Sequence, residues 1–301
     1  MAVLENGVWY QDKGADELTH EDTFSTDIQP EPWRYHLYVS AACPFAHRPW
    51  LVIQTLGLDK AISISSVAAV RDENGWAFSK DDPDPVSQEA WLRTLYVRTR
   101  PDFTGRVSVP VLWDKKEQKI VCTDSAKLAE TLATGWTSLA LNDIDLIPAS
   151  RASEIEELNA WLHKYINRRV YQVGFATSQQ DYDREVAVLF SALQTLNDRL
   201  DTSLYLNGDE MTLSDLFLFP SLVRFETVYA VHFRANARPL SSFPALYRYM
   251  LNLLARDAFR QTIHMNHIHQ HYYLSHRHIN PTGIIPVGPR PEWINRYELM
   301  D

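Results

Sequence analysis

Cys43 and Pro44 stand directly after the β-prone run Tyr35-His36-Leu37-Tyr38-Val39 and the short link Ser40-Ala41-Ala42, and ahead of an apolar-periodic stretch from Ala46 to Leu56. This order reads strand, turn, helix. Pro44 suits a first helical turn, where its missing N–H costs nothing, and Gly57 suits the far end as a cap. A thiol at such a helix start meets unpaired backbone N–H groups and the positive end of the helix dipole, both of which favour thiolate over thiol. His47 and Arg48, one turn on, are expected to add positive potential. An ordinary cysteine has a pKa of about 8.5, and sites of this kind lower it by one or more units. The chemistry expected of Cys43 is therefore nucleophilic.

Position 46 is Ala, so Cys43 has no Cys-x-x-Cys partner to resolve a mixed disulfide. An external thiol must do so, and glutathione is the abundant intracellular candidate. Cys122, the other cysteine, ends a predicted core strand and reads as inert. Asp124-Ser125 follows it at a helix start. Those two residues suit either an ordinary N-cap or the recognition of a ligand's carboxylate and amine, and the pair alone does not decide between them. The histidines at 264, 267, 269, 271, 276 and 278 carry no accompanying acidic or Cys ligand pattern, so no metal is expected.

The elements that must position these groups follow from periodicity. Ile62 to Val67 is a second strand, and Val70 to Arg106 is a polar insertion holding a helix around Gln88 to Arg98. Val107 to Trp113 and Lys119 to Cys122 form a hairpin about the turn Asp114 to Gln118, and Ser125 to Leu132 closes the domain as a helix. The order is that of a thioredoxin-like domain, in which the proline of Val109-Pro110 is cis. After a linker from Gly135 to Pro148, helical periodicity covers Ser153 to Tyr165, Asp183 to Leu200, Leu213 to Val228 and Pro244 to Leu254. Thr212-Leu213-Ser214-Asp215 is a capping pattern for the third of these. The tail from His264 is expected to hold no regular structure beyond one turn.

The fold class is thus an α/β thioredoxin-like N-terminal domain plus an all-α C-terminal helical domain. Its divisions are an N-terminal extension at 1–34, the thioredoxin-like domain at 35–135, the helical domain at 150–270 and a C-terminal tail at 271–301. A chain of 301 residues with 45% hydrophobic residues has ample core for two domains, and a net charge of −9 argues against a nucleic-acid partner. No apolar run reaches membrane-spanning length, and the N-terminus lacks a signal-peptide pattern. A cytoplasmic location is expected.

Together these residues resemble the glutathione transferase superfamily, specifically its Xi class, the S-glutathionyl-hydroquinone reductases. The resemblance runs through Gly7-Val8-Trp9, Cys43-Pro44-Phe45-Ala46-His47-Arg48, Gly75-Trp76, Pro101-Asp102-Phe103-Thr104-Gly105-Arg106 and Val109-Pro110-Val111-Leu112-Trp113-Asp114. It continues through Val170-Tyr171, Gly174-Phe175-Ala176-Thr177, Leu222-Val223-Arg224-Phe225, His271-Tyr272-Tyr273 and Asn280-Pro281-Thr282-Gly283. It implies an enzyme, typically a homodimer, that removes glutathione from a glutathionyl-hydroquinone through a Cys43 mixed disulfide. By the family pattern Trp76, Arg106, Val109, Pro110, Asp124 and Ser125 hold glutathione. Tyr171 with Tyr272 or Tyr273 takes the hydroquinone hydroxyls, a role suited to phenols, which both donate and accept.

The chain departs from the pattern at Phe45, where Trp is usual, and at Asp124-Ser125-Ala126, where Glu-Ser-Ser is usual. The segment from Thr23 to Trp33 is also short for the family. Two other functions fit Cys43 and the fold: a general glutathione-dependent deglutathionylase, and a ligand-holding protein without turnover.

Overall fold

Residues Tyr35–Val39 (β3) are buried at all five positions, so the strand lacks the polar alternation of a half-exposed one. In the computed structural model, which describes residues 2–299, β3 runs parallel to β4 (Ser63–Ser66) and antiparallel to β5 (Val111–Asp114), which pairs with β6 (Lys119–Cys122). The sheet order is β4-β3-β5-β6. Helices α1 (His47–Leu56) and α3 (Ser125–Gly135) pack together, with the insertion's helix α2 (Leu92–Thr99) set against β6. This is the expected thioredoxin-like arrangement. The Val109-Pro110 peptide is cis, as that fold requires, and Gly57 caps α1 with a left-handed φ of 68°.

Helix α2 starts four residues later than its periodicity suggests. Gln88 has a φ of 58° and Trp91 is extended, bridging to Ala77, so neither belongs to a helix. The N-terminal segment is folded as well: β1 (Val3–Glu5) and β2 (Val8–Tyr10) form a hairpin, with Leu4 bonded both ways to Gly105. Trp9 donates its indole N–H to the Glu73 carbonyl at 3.0 Å. The hairpin thereby braces two stretches of the insertion.

Two buried polar side chains of β3 are paired. His36 lies between the hydroxyls of Ser63 and Ser65, each 2.8 Å from a ring nitrogen, and Tyr38 donates to Asp84 at 2.9 Å. Burial holds the His36 imidazole down to about 4, against about 6.5 for an unfolded histidine. The unfolded chain therefore takes its proton first on acidification. Stability is whole above about pH 6.5 and falls as the pH drops toward 4, by up to about 3 kcal/mol for this one group. Urea midpoints at pH 7 and pH 4.5 are expected to lie closer together in His36→Gln than in the wild type; an unchanged gap would clear His36 of that role.

The described residues divide into two compact units between Asp143 and Ile144. The second is helical: α4 (Ala152–Leu162), α5 (Arg169–Gly174), α6 (Gln179–Asp201), α7 (Leu213–Val223), α8 (Pro244–Leu254), α9 (Asp257–Arg260), α10 (Met265–Ser275) and α11 (Glu292–Arg296). Asp215 serves as expected at the start of α7, accepting from Thr212 N at 2.7 Å and Leu206 N at 3.0 Å, and it also accepts from the Tyr249 hydroxyl at 2.7 Å. The run expected as one helix from Leu213 to Val228 is broken: α7 stops at Val223 and Phe225–Tyr229 forms a π-turn. A second π-turn, His163–Asn167, precedes α5.

The tail corrects the sequence reading most. Residues 265–275 form a full helix, α10, which runs through position 271, and a short α11 follows. Its His and Tyr residues are middling helix formers, and Met265, Ile268 and Tyr272 are a thin apolar stripe; burial of that stripe supplies what propensity does not. No helix among the described residues is long and apolar enough to cross a membrane.

Candidate active site

In the first unit the chain leaves β3 and turns through Ser40-Ala41-Ala42 into Cys43. Cys43 N donates to Ser40 O at 2.9 Å, and Ala41 N is held by the Ser66 hydroxyl at 3.3 Å. The thiol sits where the helix dipole argument requires: Ala46 N donates to Cys43 Sγ at 3.4 Å, and His47 N, the first residue of α1, donates to Cys43 O at 3.1 Å. Pro44 lies in the turn that leads into α1. Cys43 Sγ also lies 3.8 Å from Val109 O, so the thiol adjoins the cis Val109-Pro110 bond. Upstream, the buried Tyr96 hydroxyl donates to Ser108 O at 2.7 Å and accepts from Ser108 N at 3.1 Å. Burial raises Tyr96 to about 12, so it remains a phenol and keeps the donor that holds this loop.

His47 and Arg48 are both buried, and the Arg48 guanidinium stacks 4.9 Å from the Phe45 ring centre. Phe45 thus takes a packing role. Arg71 is a further cation, one whose charge couples to Cys43. Burial pulls its guanidinium down from the usual value, and a Cys43 thiolate pushes it back up. Arg71 also lies over the Trp76 ring, 5.5 Å from its centre. Sequence reasoning misses Arg71 because it stands in an irregular insertion 28 positions from Cys43; its nearness to Gly75-Trp76 was the only available signal.

Of the other residues assigned to glutathione, Trp76 and Val109 are nearly buried. Asp124 is exposed at the start of α3, where its Oδ1 accepts from Ala126 N at 2.9 Å and Lys127 N at 3.1 Å. Both readings of Asp124 therefore stay compatible: one carboxylate oxygen caps the helix and the residue still faces solvent. Asp124→Ala is expected to cost about 1 kcal/mol of stability through the lost cap. Asp124→Asn keeps the cap, so a raised KM for glutathione in that variant would isolate the ligand contact, and an unchanged KM would leave Asp124 as a cap alone. Arg106 is mostly exposed and pairs with Glu21 at 3.1 Å. Cys122 is buried, its thiol 3.6 Å from Asp124 O, and burial raises it to about 11, which makes it unreactive as expected.

In the second unit Tyr171, on α5, and Tyr272, on α10, meet hydroxyl to hydroxyl at 2.7 Å. Tyr229, at the end of the π-turn Phe225–Tyr229, brings its hydroxyl to 3.4 Å from that of Tyr272. Tyr229 also hydrogen-bonds Tyr171, so the three phenols form a mutually bonded cluster in which Tyr171 is half-buried and Tyr272 and Tyr229 are fully buried. Burial raises Tyr272 and Tyr229 well above the usual phenol value, and the positive charge of buried Arg224 opposes that rise. Tyr273 is placed apart from the cluster: its hydroxyl donates to the Thr227 carbonyl at 2.7 Å. Phe233 packs beneath, its ring 5.2 Å from that of Tyr171 and stacked on Tyr229 at 5.6 Å. A Cβ on Gly174 would come within 2.3 Å of that ring, so only glycine fits there. Tyr229 and Phe233 escape a sequence reading because buried aromatics in a helical run are usually core.

His232 faces His276 at 3.2 Å, and burial with the nearby His278 holds His232 down to about 4. Among the described residues no group of three or more His, Cys, Asp or Glu side chains is arranged to hold a metal.

A lone thiol beside a cis-proline at the head of a thioredoxin-like sheet, followed by an all-helical unit, defines a thiol enzyme of the glutathione transferase type. The family models agree: the glutathione S-transferase N-terminal domain matches residues 42–134 and its C-terminal domain residues 179–251. The chain belongs to the Xi class of the glutathione transferases. It is 40% identical to the glutathionyl-hydroquinone reductase YqjG of Escherichia coli, over 85% of this chain and 79% of that one. It is 37% identical to the glutathionyl-hydroquinone reductase PcpF of Sphingobium chlorophenolicum, over 96% of each. Among solved structures, the Xi-class enzyme of Natrialba magadii matches with a TM-score of 0.93 at 38% identity, covering 97% of this chain and 95% of that one. The glutathione-bound structure of Escherichia coli YqjG matches at 0.89 with 36% identity, covering 96% of each.

Proposed function

We propose that this protein is a glutathionyl-hydroquinone reductase, in which Cys43 removes glutathione from an aromatic glutathionyl-hydroquinone. The observation that carries the reading is the likeness to PcpF across 96% of both chains, in a protein whose thiol has no Cys-x-x-Cys partner. The Cys43 thiolate attacks the glutathione sulfur, forming a Cys43–glutathione disulfide as the aryl carbon–sulfur bond breaks. The bonding electrons stay with the aryl carbon, which takes a proton and leaves as hydroquinone. A second glutathione thiolate then attacks the mixed disulfide, releasing GSSG and restoring the Cys43 thiolate. The conjugate is reduced and two glutathiones are oxidised to one GSSG.

Glutathione is held by Trp76, Val109 beside Pro110, Asp124 and Ser125, with Arg106 at the exposed edge. Arg71 supplies positive charge to the thiolate. Tyr171 and Tyr272 bind the hydroquinone hydroxyls and deliver the proton, whereas Tyr273, already bonded to Thr227, supports the helix that carries Tyr272. The reading carries with it a cytoplasmic homodimer, as the family resemblance implies. Incubation with a glutathionyl-hydroquinone and glutathione is expected to release hydroquinone and GSSG in equal amounts; hydroquinone release without GSSG would exclude this route.

A further inference from the structure

The helical unit contains a cavity of about 340 Å³ that the chemistry above does not use. It lies between α10, the π-turn Phe225–Tyr229 and the tail from Ile285 to Ile294. Asn266, His269 and Gln270 face it from α10 at helical i, i+3, i+4 spacing. Tyr272 points roughly 100° away round the same helix, given 3.6 residues per turn, so this cavity is distinct from the tyrosine cluster. Its size is at the lower end of small-molecule sites, roughly 300 Å³ upward.

Its chemistry is one-sided. Thr227 is 3% exposed, and its Oγ1 is buried with no hydrogen-bond partner among the described residues; the same holds for His269 Nε2. Two orphaned polar atoms at one cavity are costly unless something fills it. Arg290 stands at the same cavity, makes no ion pair among the described residues, and has its charge close enough to His269 to disfavour a second cation there. No carboxylate lines the cavity among the described residues, while Ile285, Pro286, Val287 and Ile294 supply apolar wall. Donors and one cation with no anion, beside an apolar wall, match one ligand chemistry.

We propose that this cavity is a binding site for a small carboxylate with a compact apolar body, of the size of a single-ring aromatic acid. Its carboxylate takes Arg290, His269 and the Thr227 hydroxyl, and its ring lies against Ile285, Val287 and Ile294.

Benzoate is the probe, titrated calorimetrically into the full chain, with benzyl alcohol and inorganic phosphate as controls. Benzoate is expected to bind about tenfold or more tightly than either control, because one lacks the charge and the other the apolar body. Arg290→Gln, a change at a surface-facing side chain, is expected to weaken benzoate binding by about tenfold. Tyr171→Phe is expected to leave it unchanged, which separates this site from the hydroquinone site. Thr227→Val is expected to weaken binding while keeping or raising the melting temperature, since a methyl replaces a hydroxyl that has no partner. Absence of benzoate binding, phosphate binding as tight as benzoate, binding indifferent to Arg290→Gln, or a lowered melting temperature in Thr227→Val would each overturn the proposal.

Discussion

Cys43→Ser is expected to lose hydroquinone-releasing activity by about three orders of magnitude or more, the scale seen when a covalent nucleophile is removed. A serine hydroxyl is a far weaker nucleophile than a thiolate and forms no disulfide, so both halves of the cycle fail together. The fold should be untouched. Cys43 is half-buried, and a serine there still accepts from Ala46 N and donates to Val109 O, as the thiol does. Mass spectrometry after brief turnover with the conjugate alone is expected to show one glutathionyl group on the wild-type chain and none on the variant. Turnover surviving in Cys43→Ser, or a glutathionyl group found on Cys122, would remove the thiol mechanism as stated. The second result is opposed by the burial that raises Cys122 to about 11.

Arg71 offers a graded version of the same test. Arg71→Met keeps an apolar stem against Trp76 but removes the charge that couples to Cys43. The pH at which activity is half-maximal is expected to move upward, because the thiolate then loses a nearby cation. A profile that does not move would leave Arg71 a packing residue.

Tyr171→Phe and Tyr272→Phe are each expected to lower turnover of the glutathionyl-hydroquinone by about a hundredfold or more, the scale of a lost general acid. Reduction of a small glutathione mixed disulfide should change little, since sulfur leaves as a thiolate there and no carbon needs a proton. Tyr171 presents the half-buried hydroxyl, and the hydroxyls of Tyr272, at 2.7 Å, and Tyr229 both hydrogen-bond it, a cluster suited to support proton loss from the outer phenol. Tyr273→Phe is the control. Its hydroxyl is engaged with the Thr227 carbonyl, so the variant should lose about 1 kcal/mol of stability with conjugate turnover largely kept. Equal losses on both substrates in Tyr171→Phe would favour the general deglutathionylase and set aside the tyrosine assignment.

The separation of Tyr272 from Tyr273 shows where sequence reasoning stops. Adjacent tyrosines look alike in a sequence, but on a helix they project about 100° apart. One reaches Tyr171 and the other a backbone carbonyl, and which does which depends on the neighbouring elements. Tyr229 poses the same problem in reverse: a tyrosine in an apolar helical run reads as core until a π-turn rotates its hydroxyl toward Tyr272. The His-rich tail failed for an energetic reason. Its helix rests on the burial of Met265, Ile268 and Tyr272, a tertiary contribution that local propensity does not contain.

Local order was legible without any structure. The strand-Cys-Pro-helix pattern placed Cys43 at a helix start because a proline lacking its N–H, an apolar period of 3.6 and a terminal glycine are properties of neighbouring residues. The same locality made the β5–β6 hairpin and the Thr212–Asp215 cap predictable. Only the tertiary structure decided that Val109 O adjoins the thiol, that Arg71 is a cation coupled to it, and that Tyr171 pairs with Tyr272. These partners lie 28 to 101 positions apart in the chain. Their meeting is set by how buried faces of whole elements pack, and residue order records such contacts only indirectly.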